Sequence, residues 1–500
     1  MIEPEIVNGA PGAGKTTHLL NEVERELAAG VEPERIGYVS FTRRAATEAA
    51  ERAAARFGFE TKRLPHFRTI HSICFRGLGL KGTDVFEGDR VTEFGDWIGY
   101  QTRPGRWSEE GLTTGFLPAE RALFMENLAR VREIPLRQQY EEDHDDLPWS
   151  FVDRIARGLA QFKRDRQLLD YTDMLREFVE TGDSPELEVL FVDEAQDLAM
   201  AQWRVVEKLA RGARRLVVAG DDDQSIYRWS GAAVDHFVDM PGRVTVLGQS
   251  WRCPRVVQEL ATSIIGRVGH RRPKTWNSRD SEGELTRVRT IGDADLEGDS
   301  VLILARNVFL LDDLREKLRD DGVIYEYHDR PSVSGKILET VQLWERIRRH
   351  EKVTVDQVRQ VYEYMTSGIG VRRGYKTLPG WRDDELVDVD YLVQAGGLMT
   401  EAIWHEALTR IPDDERGYML RALRRGEKLT RRPRVRVSTI HGAKGAEADH
   451  VVLMTDVAAR TWREYEKYPD DEARVFYVGV TRARERLTVV APQTNLHYDV

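Results

Sequence analysis

Three stretches of this 500-residue sequence carry residue types and spacings suited to chemistry on a phosphate. The first, VNGAPGAGKTTHLL at 7–20, places Gly9 four residues before Gly14-Lys15-Thr16, a spacing that fits a phosphate-binding loop. Glycines there let backbone N–H groups turn inward around the β- and γ-phosphates of a nucleotide, and the following helix presents its positive end to the same anion. Gly9, Ala10, Gly12, Gly14 and Thr17 would form the cradle, Lys15 would add a point charge, and the Thr16 hydroxyl would hold magnesium. The second stretch, LFVDEAQD at 190–197, sets Asp193 and Glu194 at the carboxyl end of an apolar run, where ligands sit in an open parallel sheet. Asp193 there can hold magnesium, and Glu194 can take a proton from an attacking water. In the third, VVAGDDDQSIYRWSGA at 217–232, Gln224 could reach a γ-phosphate. Tyr227 and Trp229 in the same loop read either as stacking platforms or as side chains packed into a seam.

These residues need strands behind them. Apolar runs bounded by loops occur at RIGYVSFT, LEVLFVDE, RRLVVAGD and RVTVLGQ, which together with the strand before the loop predict a parallel α/β core. A second set, SVLILAR, RVRVSTIHGAKG, DHVVLMT and RLTVVAP, predicts another. Between 71 and 171 the pattern turns helical and irregular, with a Trp/Gly/Pro-rich patch at 97–118 and an acidic turn EEDHDDLP. A further helical and irregular segment at 332–429 interrupts the second core. Both read as insertions, because the flanking strands need each other to complete a sheet.

Composition sets outer limits. A hydrophobic content of 41% with 32% charged residues describes a globular chain of more than one domain. There is no run of eighteen apolar residues to span a membrane, and no basic-then-apolar leader, so the expected location is cytoplasmic with no membrane partner. Cys74 and Cys253 make neither a disulfide framework nor a metal cluster, and read as packed thiols. The net charge of −10 is uninformative about nucleic acid, because 74 Lys and Arg remain and field is local. Basic clusters occur at Arg43-Arg44, at Arg271-Arg272 and within 421–436; most such clusters are solvated faces, and none alone implies DNA.

DEAQD and GDDDQSIYRW, in this order after the glycine-rich loop, resemble motifs of the UvrD/Rep/PcrA family of superfamily 1 helicases. SFTRRAATEAA resembles the family's motif Ia, RTIHSICF motif Ib, LGQSWRCP motif IV, VSTIHGAKGAEADHVVL motif V and EARVFYVGVTRARERL motif VI. The resemblance implies an α/β fold of two RecA-like parallel-sheet cores, 1–72 with 172–245 and 246–331 with 430–500. It also implies helical insertions at 73–171 and, reduced in size, at 332–429. The implied activity is ATP-dependent, magnesium-dependent translocation on single-stranded DNA and helicase action on tailed or forked duplex, 3′-to-5′, in replication, repair or recombination. By the same resemblance Lys15, Asp193, Glu194, Gln224, Arg252 and Arg482 are catalytic, the two arginines being fingers that the second core contributes to the γ-phosphate. Trp251 would stack on the base, although core packing is an equal reading, and Glu447 would contact the ribose beside Lys444-Gly445. Phe41, Thr69, His71, Tyr227, Trp229 and His441 would line the strand channel, with RNA left open as a track.

The chain also departs from the family pattern. Ser230 stands where relatives carry arginine, with Arg228 on the other side of the ring, and no added nuclease domain is expected after motif VI. The rival reading is an ATP-gated DNA-binding or protein-displacing module without processive unwinding. Eight residues precede Gly9 and none is the glutamine with which relatives read adenine, so base selectivity should be relaxed. Comparable kcat/KM for ATP, GTP and CTP is expected, and a preference for ATP of about a thousandfold, a discrimination that needs base-edge hydrogen bonds, would contradict it.

Overall fold

The computed structural model describes residues 2–41, 43–58, 60–103, 107–108, 111–112, 117–143, 146–429 and 432–500. Thr42, much of the 97–118 patch, His144 and Asp145 of the acidic turn, Arg431 and the side chain of Arg44 lie outside the described residues. By packing, the chain divides into two units, 1–283 with 463–481, and 284–462 with 482–500.

The first unit is built on a six-stranded parallel sheet. Its strands are β1 (Glu5–Gly9), β2 (Ile36–Ser40), β3 (Phe67–Thr69), β4 (Val189–Asp193), β5 (Arg215–Gly220) and β6 (Arg243–Leu247), in spatial order β3-β2-β4-β5-β1-β6. Its central strands read as continuous apolar runs because both faces are covered. Side chains alternate between two separate cores: Ile6, Val39, Leu190, Val192 and Val218 join one, while Val7, Tyr38, Val189, Phe191 and Val217 join the other. The second core also holds Leu19, Leu20 and Val23, the buried stripe of the helix Lys15–Ala28 that follows the glycine-rich loop.

The helix Ile70–Gly77 is continuous across the boundary expected at 72–73, and it packs with Tyr171–Thr181 through Ile73, Cys74, Met174 and Phe178 onto the sheet. The insertion proper has its own core, in which Phe86, Phe94 and Phe162 meet edge to face at 5.4–6.2 Å. Edge-to-face contact suits the ring quadrupole. Its helices include Asp89–Ile98, Pro118–Val131, Leu136–Asp143 and Trp149–Arg166.

The second unit holds a seven-stranded sheet of β7 (Glu284–Val288), β8 (Val301–Ala305), β9 (Tyr325–Tyr327), β10 (Arg330–Pro331), β11 (Val435–Thr439), β12 (Ala448–Met454) and β13 (Ala483–Val490). The order is β10-β9-β11-β8-β12-β13-β7, parallel throughout except for the β9–β10 pair. The insertion in this sheet forms its own core around Trp344, Val358, Tyr362, Leu392, Tyr418 and Met419. The indole N–H of Trp344 is satisfied by the carbonyl of Ala402 at 3.0 Å. No helix among the described residues is long and apolar enough to cross a membrane.

Two segments pack differently from the sequence boundaries. Residues 246–283 and 463–481 belong with the first unit instead of the second. The physical reason is burial: the helix Arg255–Ile265 presents Val257, Ala261, Ile264 and Ile265 to the interior, and Pro469–Val480, which packs beside it, is buried along most of its length.

Candidate nucleotide site

The glycine-rich loop leaves β1 at Gly9 and enters its helix at Lys15, with Gly14 at φ 77° capping the helix. Gly12, at φ 69°, could not carry a side chain, because a Cβ there would lie 2.4 Å from the Cβ of Arg252. That approach is held by hydrogen bonds. The Ser250 hydroxyl donates to the carbonyl of Pro11 at 2.6 Å, and the Trp251 N–H donates to the carbonyl of Gly12 at 2.9 Å. The same hydroxyl accepts from the N–H groups of Arg252 and Cys253. Arg252 therefore meets the loop from within the first unit, in contrast to the expectation that a second core would contribute it.

The acidic pair lies at the end of β4, as its apolar run requires. Asp193 is buried, and its Oδ2 accepts from the Thr16 hydroxyl at 3.1 Å and from the Tyr38 phenol at 2.6 Å. Its Oδ1 accepts from the Glu194 N–H. Burial and then the neighbouring Glu194 charge push its carboxyl above the ordinary aspartate range, against the lowering bond from Tyr38. A hydroxyl and a carboxylate oxygen in contact are a hard-oxygen donor set suited to magnesium. Thr16 and Asp193 thus fit that ion, and a Lys15 ammonium 3.3 Å from the Gly9 carbonyl lies in the same loop.

Glu194 takes the left-handed backbone conformation, φ 53° and ψ 40°, unusual for a residue with a side chain. Gln196 ties its carboxylate down by donating from Nε2 to Glu194 Oε2 at 2.6 Å. The other end of that carboxamide accepts from the Asp221 N–H at 2.9 Å, which joins the acidic pair to the loop after β5. In that loop Gln224 Nε2 donates to Asp221 Oδ2 at 2.5 Å. Asp221, Asp222 and Asp223 are fully buried and meet the ammonium of Lys274.

Trp251 is 73% exposed, so the core-packing reading of this ring is wrong: its backbone is held to Gly12 while its indole stays open. Trp229 is 42% exposed and stacks on Phe124 of the insertion, centroids 6.4 Å apart. Tyr227 leans on Phe41, and Phe41 itself is buried. Thr69 accepts from the Ser72 N–H as the cap of its helix, and buried His71 meets Tyr171 edge-on. Arg228 pairs with Asp235 and Asp471.

Arg482, Lys444, Gly445, Glu447 and His441 belong to the second unit. Arg482 is almost fully buried and donates to the carbonyl of Ala446 at 3.4 Å. Glu447 accepts from Arg484, and its carbonyl accepts from Arg436. His441 and Lys444 are half-buried in the turn after β11, and Gly445 is exposed there at φ 81°. Among the described residues no group of His, Cys, Asp and Glu forms a separate metal cluster. Cys74 and Cys253 are buried free thiols, as expected.

Sequence reading missed Tyr38, Gln196, Ser250 and Lys274. Three adjacent aspartates after a buried strand were a visible signal that a cation must come from elsewhere. Arg271 and Arg272 are not a solvated face. Arg271 holds Asp223 with two bonds of 2.8 and 2.5 Å, and Arg272 donates from its backbone to Asp222 and from its guanidinium to the carbonyls of Phe237 and Met240.

Comparison with known proteins gives an independent view. The model of the UvrD/REP helicase N-terminal domain matches residues 2–244, and that of the UvrD-like helicase C-terminal domain matches 412–494. YjcD of Bacillus subtilis (strain 168) is 26% identical over 294 residues, 54% of this chain and 38% of that protein. The ATP-dependent DNA helicase PcrA of Leuconostoc citreum is 27% identical over 342 residues, 64% of this chain and 45% of its own. PcrA of Staphylococcus aureus (strain Mu50 / ATCC 700699) is 24% identical over 360 residues, 67% and 47% respectively. The matched stretch spans less than half the length of each of these relatives.

The Gly12 contact makes a direct prediction. Gly12→Ala should weaken binding of a fluorescent ADP analogue about tenfold or more, the equivalent of one strained backbone position. Titration by fluorescence anisotropy measures it, and unchanged affinity would mean that the Gly12 to Arg252 approach is not part of the binding loop.

Proposed function

The chain belongs to the UvrD-like helicase family, and from that premise we propose that it is a DNA-dependent ATPase that moves along single-stranded DNA and separates duplex. The observation that carries this reading is the contact between Thr16 and Asp193, which joins two magnesium-type oxygen donors 177 residues apart in sequence. Lys15 and the loop N–H groups hold the phosphates of ATP. Magnesium bound by Thr16 and Asp193 would offset negative charge on the triphosphate. Glu194, oriented by Gln196, accepts a proton from the attacking water, and Gln224 contacts the γ-phosphate. Arg252 and Arg482 stabilise charge that grows only in the transition state.

The exposed indole of Trp251 stacks on the base. A stacked ring does not read hydrogen bonds, which is consistent with relaxed base preference. Trp229 offers its open face to a DNA base, worth roughly 1–3 kcal/mol per stacked base, Tyr227 is a further contact on the first unit backed by buried Phe41, Thr69 and His71, and the family resemblance adds His441 of the second unit. Such contacts are largely blind to sequence. Family membership supports 3′-to-5′ travel, tailed or forked duplex as substrate, and work in replication, repair or recombination in the cytoplasm.

The decisive experiment is ATPase turnover with and without single-stranded DNA, followed by unwinding of duplexes tailed at either end. Turnover should rise with DNA, and only the 3′-tailed duplex should open. Glu194→Gln should keep nucleotide binding while losing about 10²–10⁴ in turnover. Arg482→Ala should lose about 10³ or more with DNA affinity nearly unchanged. An ATPase rate indifferent to DNA would favour the gated-module reading, and normal turnover in Arg482→Ala would remove that residue from the mechanism.

A further inference from the structure

The loop carrying Gln224 buries three adjacent carboxylates. Asp221, Asp222 and Asp223 are each 0% exposed, and the Lys274 ammonium, equally buried, meets them at 2.5, 2.9 and 2.9 Å. The ammonium also lies 3.5 Å from Asn8 Oδ1, one residue before the first glycine of the phosphate loop. Burial alone would disfavour the charged amine, but the three carboxylates outweigh it and hold it protonated. For Asp221, burial pushes upward, and Lys274 and then Lys15 pull it below the ordinary range.

The hydrogen bonds run in a definite order. Lys274 grips Asp221 Oδ1, and Asp221 Oδ2 accepts from Gln224 Nε2. The Asp221 N–H donates to Gln196, whose other end holds Glu194. On the far side, Asp223 is held by Arg271, and Arg474 donates to the carbonyl of Asp222 at 3.1 Å. Two residues past Ser225, whose hydroxyl is fixed on the carbonyl of Gln196, come Tyr227 and then Trp229.

We propose that Lys274 is a positioning residue for hydrolysis: by fixing the Asp221 carboxylate it sets the carboxamide of Gln224. This rests on the ATPase reading above and assigns a positioning residue to that same site. Without the ammonium, three adjacent buried carboxylates repel one another and are poorly solvated. Asp221 then turns or protonates, and Gln224 loses its charge-assisted acceptor. A merely structural lysine would neutralise charge without orienting anything.

The test separates those roles. Lys274→Met alone leaves unbalanced buried charge and should lower the melting temperature. Lys274→Met/Asp222→Asn restores the charge balance and leaves the Arg271–Asp223 pair intact. For the full chain, the melting temperature, affinity for a fluorescent ADP analogue, and kcat and KM for ATP at saturating single-stranded DNA are measured beside wild type. The double variant should recover the melting temperature and keep ADP affinity and KM close to wild type, while kcat stays about 10²-fold lower, the cost of misplacing a catalytic group by about an ångström. Recovery of kcat together with the melting temperature overturns the proposal. Should the double variant not fold, Asp221→Asn decides, since Lys274 keeps Asp222 and Asp223 there: the same loss in kcat is expected, and wild-type turnover overturns it. Wild-type protein without DNA-stimulated turnover would instead overturn the ATPase reading, and this inference with it.

Discussion

Carboxylates buried at the carboxyl edge of a parallel sheet must find donors or cations, and the first unit is arranged around that requirement. Asp193 is met by a hydroxyl, a phenol and a backbone N–H. The three aspartates after β5 are met by an ammonium and a guanidinium that arrive from some fifty residues further along the chain. Each charge is therefore expensive to bury and directional once satisfied, and the same bonds that neutralise it orient the groups beside it. Apolar packing places β4 and β5, while the polar contacts decide where their terminal side chains point.

This explains why 246–283 packs with the first sheet. Ser250 and Trp251 bond the carbonyls of Pro11 and Gly12, Lys274 enters the aspartate cluster, and Arg272 satisfies carbonyls at Phe237 and Met240. A segment with that many buried polar commitments cannot leave without orphaning its partners. The second unit shows a plainer economy: its sheet and its insertion each close over an apolar core, with Trp344 and Tyr418 supplying the polar tips that reach backbone carbonyls.

Much of this was legible in the residues. Every strand quoted from an apolar run is a strand: for the central ones continuous Val, Ile and Leu bounded by loops has few other solutions in a sheet covered on both faces, whereas β6 is a largely exposed edge strand. The positions of the glycine-rich loop and the acidic pair were legible because glycine spacing and adjacent acids after a strand are local patterns. What stayed hidden was long-range. Tyr38 looks like any apolar strand residue until its hydroxyl meets Asp193 from 155 positions away. Arg271, Arg272 and Lys274 look like a surface cluster, since charge alone does not say whether its complement is water or a buried carboxylate. Trp251 was undecidable for a related reason: an indole suits a core or an open face equally, and the choice is made by the backbone bond to Gly12.

The left-handed backbone at Glu194 has an evolutionary corollary. A residue with a Cβ sits there at a cost of about 1–2 kcal/mol that glycine would escape. Selection for stability alone would therefore drift this position toward glycine and erase the carboxylate. Glu133, Gln167, His328, Asp329, His350 and Leu378 also take positive φ, and what sets Glu194 apart is that its strain sits beside Asp193 with the carboxylate held by Gln196.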